Sequence, residues 1–325
     1  MVQTRAMAVW RLPWSLRLEG SLSEAVLEAS LDGASVELHL PIAEPVPIGA
    51  APQILPALAA DSAPSRPWTT TVEAVRDARG VTVFDVHRIV LVDSEDSALC
   101  IDAWTGRELA GWFAKVTDWL EVWTGQMSDP AARSSQQPVW GEDLERWTLE
   151  GDGWRHEAAR IVVDCSVPAS HEVRGRAATY GELASALERV ASGHRPTMRD
   201  LLIRDARGHL LRGEPRRAAL DAGLAAELML AVACEPLVGA DGRLPGKSAT
   251  PLSKATLGPL VSAAPKLDVC IPAGLNQDLV DVRNAPAHGR ELSVVQVEDL
   301  LGVVVELRSL LVPGWMDGAD TRFPR

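Results

Sequence analysis

Six consecutive residues carry the clearest chemical potential in the chain: Arg283-Asn284-Ala285-Pro286-Ala287-His288. They supply a permanent cation, a carboxamide beside it and an imidazole five residues after the Arg. Such a set can cleave RNA without a metal. In that reaction the 2′-hydroxyl attacks the adjacent phosphorus. His288 can act as base or acid, because an unperturbed imidazole titrates at about 6.5. Arg283 can hold the phosphate in a bidentate fork and offset charge building in the transition state. Asn284 can orient the imidazole or donate to a phosphate oxygen.

Spacing alone does not single this segment out. The chain has 28 Arg and only four Lys. In so Arg-rich a sequence about one Arg-x4-His pair is expected by chance. A second pair is present, Arg204 and His209 in Arg204-Asp205-Ala206-Arg207-Gly208-His209. The bland alternative for His288 is a solvated residue near a helix end. The surrounding elements must decide.

Geometry sets a condition. On one unbroken helix residues 284 and 288 share a face, whereas 283 and 288 lie about 140° apart. Pro286 would cost about 3 kcal/mol inside a helix and biases Ala285 away from helical angles. A helix ending near Asn284, with a kink or short turn across the motif, is predicted.

The second half of the chain reads as all helix. Thr197–Leu211 is a first element. Pro215 then stands where a helix start tolerates proline, and Arg216–Cys234 follows, rich in Ala and Leu, until Pro236 stops it. A Gly/Pro-rich loop covers 236–250. Leu252–Ala264 and Asn276–Arg283 are further helices. Ser293-Val294-Val295-Gln296 is a capping box for a last helix reaching about Val312. That helix is apolar on most of its circumference, so it is central to a bundle or covered by a second subunit.

This arrangement, over roughly residues 195–312, resembles the HEPN family of helical-bundle domains. Three parts in order carry the resemblance. The first is the Ala-rich helix with an embedded acid, Leu220-Asp221-Ala222-Gly223-Leu224-Ala225-Ala226-Glu227-Leu228. The second is Thr256-Leu257-Gly258-Pro259-Leu260. The third is Leu279-Val280-Asp281-Val282-Arg283-Asn284-Ala285-Pro286-Ala287-His288-Gly289. Arg283, Asn284 and His288 match the family signature of Arg, a polar residue, three variable positions and His. Arg204 falls before the Ala-rich helix, where the family has no such motif. The resemblance implies a homodimer in which two Arg-x4-His segments face each other and form one composite site. It also implies metal-independent endoribonuclease activity of the toxin or phage-defence kind. Some family members instead serve as non-catalytic nucleotide- or protein-binding modules.

Glu227 has apolar neighbours, and a buried carboxylate needs a partner. Arg283 is the candidate, which makes Glu227 a supporting residue. The bland reading puts Glu227 on an exposed stripe, and Asp221 reads as plain surface. Between residues 195 and 217 stand seven Arg against three acids. Arg204, Arg207, Arg212 and Arg216 are therefore candidates to meet RNA phosphates, or else they form a solvated face with internal ion pairs.

The first half reads as strand-rich and mixed. Trp14–Glu19, Ala25–Leu31 and Ser35–Leu40 alternate apolar and polar residues, with Asp32-Gly33 as a hairpin turn. Residues 41–67 read as a loop. Trp68–Val75 and Val81–Val92 form another hairpin. Thr105 and Glu108 make a capping box for an amphipathic helix over 106–124. Pro130–Pro138 reads as a linker. Trp147–Leu149, Gly153–His156 and Arg160–Val167 read as strands, and Tyr180–Ala191 as a helix. Ten of eleven Trp precede residue 155, and core packing accounts for them better than base stacking, although Trp140, Trp147 and Trp154 keep that alternative.

The expected fold class is thus α+β: a strand-rich recognition or regulatory domain over 1–194, then an all-α HEPN-like bundle over 195–325. The net charge of −12 falls entirely on residues 1–194, which hold 28 acids and 16 bases. Such a surface suits a protein or small-ligand partner better than RNA. No apolar stretch is long enough for a membrane span, and no leader of basic then apolar residues opens the chain. Four scattered Cys without a C-x-x-C pair fit reduced, mostly buried thiols in a cytoplasm, with no metal and no cofactor. Gly246-Lys247-Ser248 ends like a phosphate loop, but Asp241 stands where its first Gly belongs.

Overall fold

The computed structural model describes residues 6–19, 26–31, 33–40, 72–76, 82–93, 104–126, 144–150, 153–160, 175–245, 250–272, 275–285 and 290–312. The chain divides into two compact units, Met1–Arg195 and Pro196–Arg325. The first is mixed, with strands and, among the described residues, two helices. The second is helical. The fold class is α+β, with the strands N-terminal and the helices C-terminal.

The first unit holds an eight-stranded sheet: β1 (Ala6–Glu19), β2 (Val26–Leu31), β3 (Ala34–His39), β4 (Val72–Arg76), β5 (Thr82–Asp93), β6 (Leu144–Glu150), β7 (Gly153–Arg160) and β8 (Ala178–Thr179). Its order is β2-β3-β5-β1-β6-β7, with β4 beside β5 and β8 beside β1. All neighbours are antiparallel except β8, which runs parallel to β1. The expected hairpins are present, and β2 and β3 meet around Gly33, whose φ of +88° suits a residue without a Cβ.

Alternation sets the two faces. Ala6, Ala8, Trp10, Leu12, Leu16 and Leu18 of β1 join one apolar core with Leu109, Trp112, Phe113, Val116 and Leu120 of helix α1 (Gly106–Thr124). Trp10 meets Phe113 edge-on with centroids 5.6 Å apart. Thr105 and Glu108 cap α1 reciprocally, as their spacing predicts. Helix α2 (Tyr180–Ala191) has the same device in Thr179 and Glu182. Trp112 and Trp119 are buried, so these two belong to the core. The segments 41–67 and Pro130–Pro138, the strand expected at Arg160–Val167 beyond Arg160, and Trp140 lie outside the described residues.

The second unit is built on α3 (Met198–Leu211) and α4 (Pro215–Cys234), followed by α5 (Leu257–Ala263), α6 (Val282–Asn284) and α7 (Val294–Leu311). Ala218, Ala219, Ala222, Ala225 and Ala226 bury one face of α4, which packs against α3, α5 and α7. Small side chains let these helices approach closely. Pro215 occupies the first turn of α4, and Ser293 with Gln296 boxes α7.

Three expectations need correction. Leu252–Ala264 is not one helix. A 3-10 turn (Leu252–Lys254) breaks at Ala255, α5 starts after Thr256, and a second 3-10 turn (Ala264–Leu267) follows. Asn276–Arg283 is not a regular helix either: Asn276–Asp281 is wound as a π-helix that runs into α6. Finally, Ala285 keeps helical angles (φ −51°, ψ −48°) despite the proline after it. Of the four thiols, Cys234 is buried and Cys270 exposed.

Candidate functional site

Arg283 stands on the short α6 and lies across the Ala-rich α4. Its contact is Gly223, in the interior of a 20-residue helix. A Gly there costs roughly 1 kcal/mol against Ala, so a reason is owed. The reason is the stem of Arg283. A Cβ on Gly223 would come within 3.1 Å of the Arg283 Cβ, and nearer still to its Cγ. Sequence reading passed over Gly223, although a Gly inside an Ala-rich helix was the available signal.

One turn further along α4, Glu227 faces the guanidinium. Its Oε2 lies 3.9 Å from Arg283 Nη2, with the two side chains 21% and 30% exposed. The same oxygen accepts the Leu257 backbone N–H at 2.9 Å, where α5 begins. Asn284 is placed by sequence adjacency: its Oδ1 accepts from Arg283 Nη1 at 3.1 Å. The Nε of Arg283 is buried and has no hydrogen-bond partner among the described residues. Thus Gly223, Glu227 and Asn284 define where the guanidinium sits, and α4, α5 and α6 converge there. Glu227 is half-buried and partnered with Arg283, not part of a solvated stripe.

His288 lies outside the described residues. The chain on either side is tied, because the Arg290 N–H donates to the Ala285 carbonyl at 3.0 Å.

The second Arg-x4-His pair is placed differently. Arg204 turns onto its neighbour Asp205, with Nη2 2.7 Å from Oδ1. His209 sits between two carboxylates, with Nδ1 2.7 Å from Glu214 and Nε2 3.4 Å from Asp221. Arg212 and Arg217 also approach Glu214. This cluster ties the α3–α4 corner. Asp221 is therefore no plain surface residue. Burial raises its carboxyl from the usual value, and His209 counters part of that.

The four arginines expected to meet phosphates do not share one open face. Arg204 is 13% exposed and ion-paired. Arg207 has its Nε and Nη1 buried, and burial pushes its pKa down to about 10. Arg212 and Arg216 are exposed. Deeper still, Arg308 of α7 pairs with Asp200 of α3, both nearly without exposure. Asp200 also accepts the Thr197 N–H and hydroxyl at the start of α3.

Among the described residues no group of three or more His, Cys, Asp or Glu side chains is placed to hold a metal ion. Among them, too, no helix is long and apolar enough to cross a membrane. Comparison with protein-family models, curated proteins and solved structures finds no match.

Proposed function

We propose that the chain is a metal-independent endoribonuclease, an RNA-cleaving effector of the HEPN kind with a toxin or phage-defence role in the cytoplasm. The single observation that carries this reading is the seat of Arg283. A guanidinium fixed by Gly223, Glu227 and Asn284, five residues before a His, is preorganised to meet a phosphate. A cation already held in place loses little freedom when the phosphate arrives. His288 is the acid–base group, Asn284 and Glu227 orient the Arg, and a homodimer brings two such segments to one composite site. The N-terminal unit is the recognition or regulatory part, taking a protein or small ligand.

A second reading draws on the same contacts. Glu227 caps the Leu257 amide as well as meeting Arg283, which is also how a purely structural tie between three helices is built. On that reading the bundle is a non-catalytic nucleotide- or protein-binding module.

The test is incubation of purified protein with tRNA or total RNA in excess chelator, beside His288→Ala and Arg283→Ala variants. Cleavage is expected from the unaltered chain. Loss of the acid–base group should slow it at least about a hundredfold. Equal background from all three proteins, with RNA still bound, rejects the nuclease and leaves the binding module.

A further inference from the structure

Helix α4 carries a line of exposed apolar side chains. Leu220, Leu224 and Val232 are 40%, 41% and 56% exposed, and Leu228 among them is half-buried. Positions four apart stay near one face of a helix, drifting about 40° per step. Single exposed leucines are ordinary, but a line of them on one helix marks a contact surface. Arg217 stands in the first turn of α4 and Glu235 caps its C-terminal end, both exposed. Arg217 pairs with Glu214 at 3.4 Å and its charge also acts on Asp221, yet 68% of its side chain is in solvent. Glu235 has no ion-pair partner among the described residues.

The order of these residues reads the same from either end. About residue 226, Leu224 mirrors Leu228, Leu220 mirrors Val232, and the cation Arg217 mirrors the anion Glu235. A second α4 laid antiparallel, on a two-fold axis that passes between the helices at the level of residue 226, sets the apolar residues 220, 224, 228 and 232 of one copy against those of the other. It also sets Arg217 of each copy against Glu235 of the other. A parallel copy would oppose Arg217 to Arg217 and Glu235 to Glu235. Charge therefore selects the antiparallel pairing, and only a two-fold contact makes one patch complementary to itself.

We infer that the exposed ridge of α4 is the surface on which two copies of this chain pair, antiparallel about residue 226. Gly223 and Glu227, which seat Arg283, lie within one helical turn of that level along α4. The two Arg283 seats then stand on either side of the two-fold. That last link deepens the nuclease reading and rests on it, whereas the pairing itself does not. The ridge from Arg217 to Glu235 is about 27 Å long at 1.5 Å per residue. One such contact covers less than the roughly 800 Å² per partner of a standard interface, so a dimer dissociating near micromolar concentration is expected.

Sedimentation equilibrium of the full chain without RNA tests this directly. The unaltered protein should be dimeric at about 100 µM, a hundred times the expected dissociation constant. Leu224→Glu should give a monomer with unchanged circular dichroism, since Leu224 faces solvent. Arg217→Glu and Glu235→Arg should each weaken the dimer about tenfold, because every substitution spoils two symmetric charge pairs. Combined, they should restore it to within about threefold, and a folding defect could not be repaired that way. A monomeric unaltered chain, or a dimer indifferent to Leu224→Glu, overturns the inference. A charge-swapped double variant as weak as either single one overturns the antiparallel register. Because mass is read without RNA, a failed cleavage assay leaves this result standing, and a monomer leaves cleavage to be judged on its own.

Discussion

Arg283 lies across Gly223 so closely that a Cβ on Gly223 would stand 3.1 Å from the Cβ of Arg283. Gly223→Ala is therefore a substitution on α4 that acts on α6. It gains about 1 kcal/mol of helix propensity and sets against it an overpacking cost of about 1–3 kcal/mol. Net stability should fall by less than about 2 kcal/mol, as read by urea unfolding with an unaltered m-value. The guanidinium must shift, and a misplacement near 1 Å can cost up to about a hundredfold in rate. RNA cleavage falling at least about tenfold while the fold persists is the expected result. Full activity in this variant would mean that the position of Arg283 does not matter.

Glu227 has two partners of unequal weight. The ion pair with Arg283 is long, at 3.9 Å, and partly exposed, so it contributes less than about 1 kcal/mol. The Leu257 N–H is the costlier one to abandon, at roughly 1–3 kcal/mol for an unpaired buried donor. Glu227→Gln retains an acceptor for that amide and should lose less than about 1 kcal/mol, whereas Glu227→Ala should lose about 1–2 kcal/mol. Thermal melts of the two variants measure the difference. Equal losses would show that the charge, not the amide cap, is what matters.

The elements announced by local chemistry were legible in the sequence. Thr105 with Glu108 and Ser293 with Gln296 mark their helix starts within four residues, and Pro215 marks a third. The interruption at Ala255 was not legible. It is stabilised by the Leu257 amide meeting Glu227, a residue 30 positions earlier, and no local window contains both. The π-helical turns at Asn276–Asp281 were hidden for a related reason. Apolar spacing assumes 3.6 residues per turn, and a widened turn changes which residues share a face. The angle reckoned between residues 283 and 288 rested on that same assumption. At the site, the Glu227–Arg283 partnership followed from the rule that a half-buried carboxylate seeks a cation. The role of Gly223 needed the third dimension, because nothing in sequence places α6 over α4.

The buried Asp200–Arg308 pair is the anchor between α3 and α7, with side chains 4% and 3% exposed. Burial pushes the Arg308 pKa down to about 9; Asp200 opposes that push, while Arg207 and Arg199 add to it. Asp200→Asn removes the nearest counter-charge from a buried guanidinium and should cost about 3 kcal/mol. Arg308→Met should cost less, because removing one cation also relieves its repulsion with Arg199 and Arg207. Equilibrium denaturation of both variants checks the inequality. An Arg308→Met protein weaker than Asp200→Asn would reverse the ranking and place the anchor's value in the Arg.

The corner at His209 predicts a pH response with a definite sign. Glu214 is held below its ordinary value of 4.5, chiefly by the hydrogen bond from His209. A lowered carboxyl contributes stability above that value and loses it as pH falls through the lowered one. Asp221 runs the opposite way. Burial raises its carboxyl above the ordinary 3.8, so its contribution is present below that value and is lost as pH rises through the raised one. His209 pulls both carboxyls down. His209→Gln should therefore move both upward, Glu214 back toward 4.5 and Asp221 further from 3.8. Carboxyl carbon NMR titration reads each shift separately. Glu108, whose carboxyl is lowered by hydrogen bonds from Thr105, is the internal control and should not move. Because a protonated carboxyl no longer needs the imidazole, the destabilisation from His209→Gln should be larger near pH 6 than near pH 3. A Glu214 carboxyl that does not respond would mean that Arg212 and Arg217, not His209, hold it down.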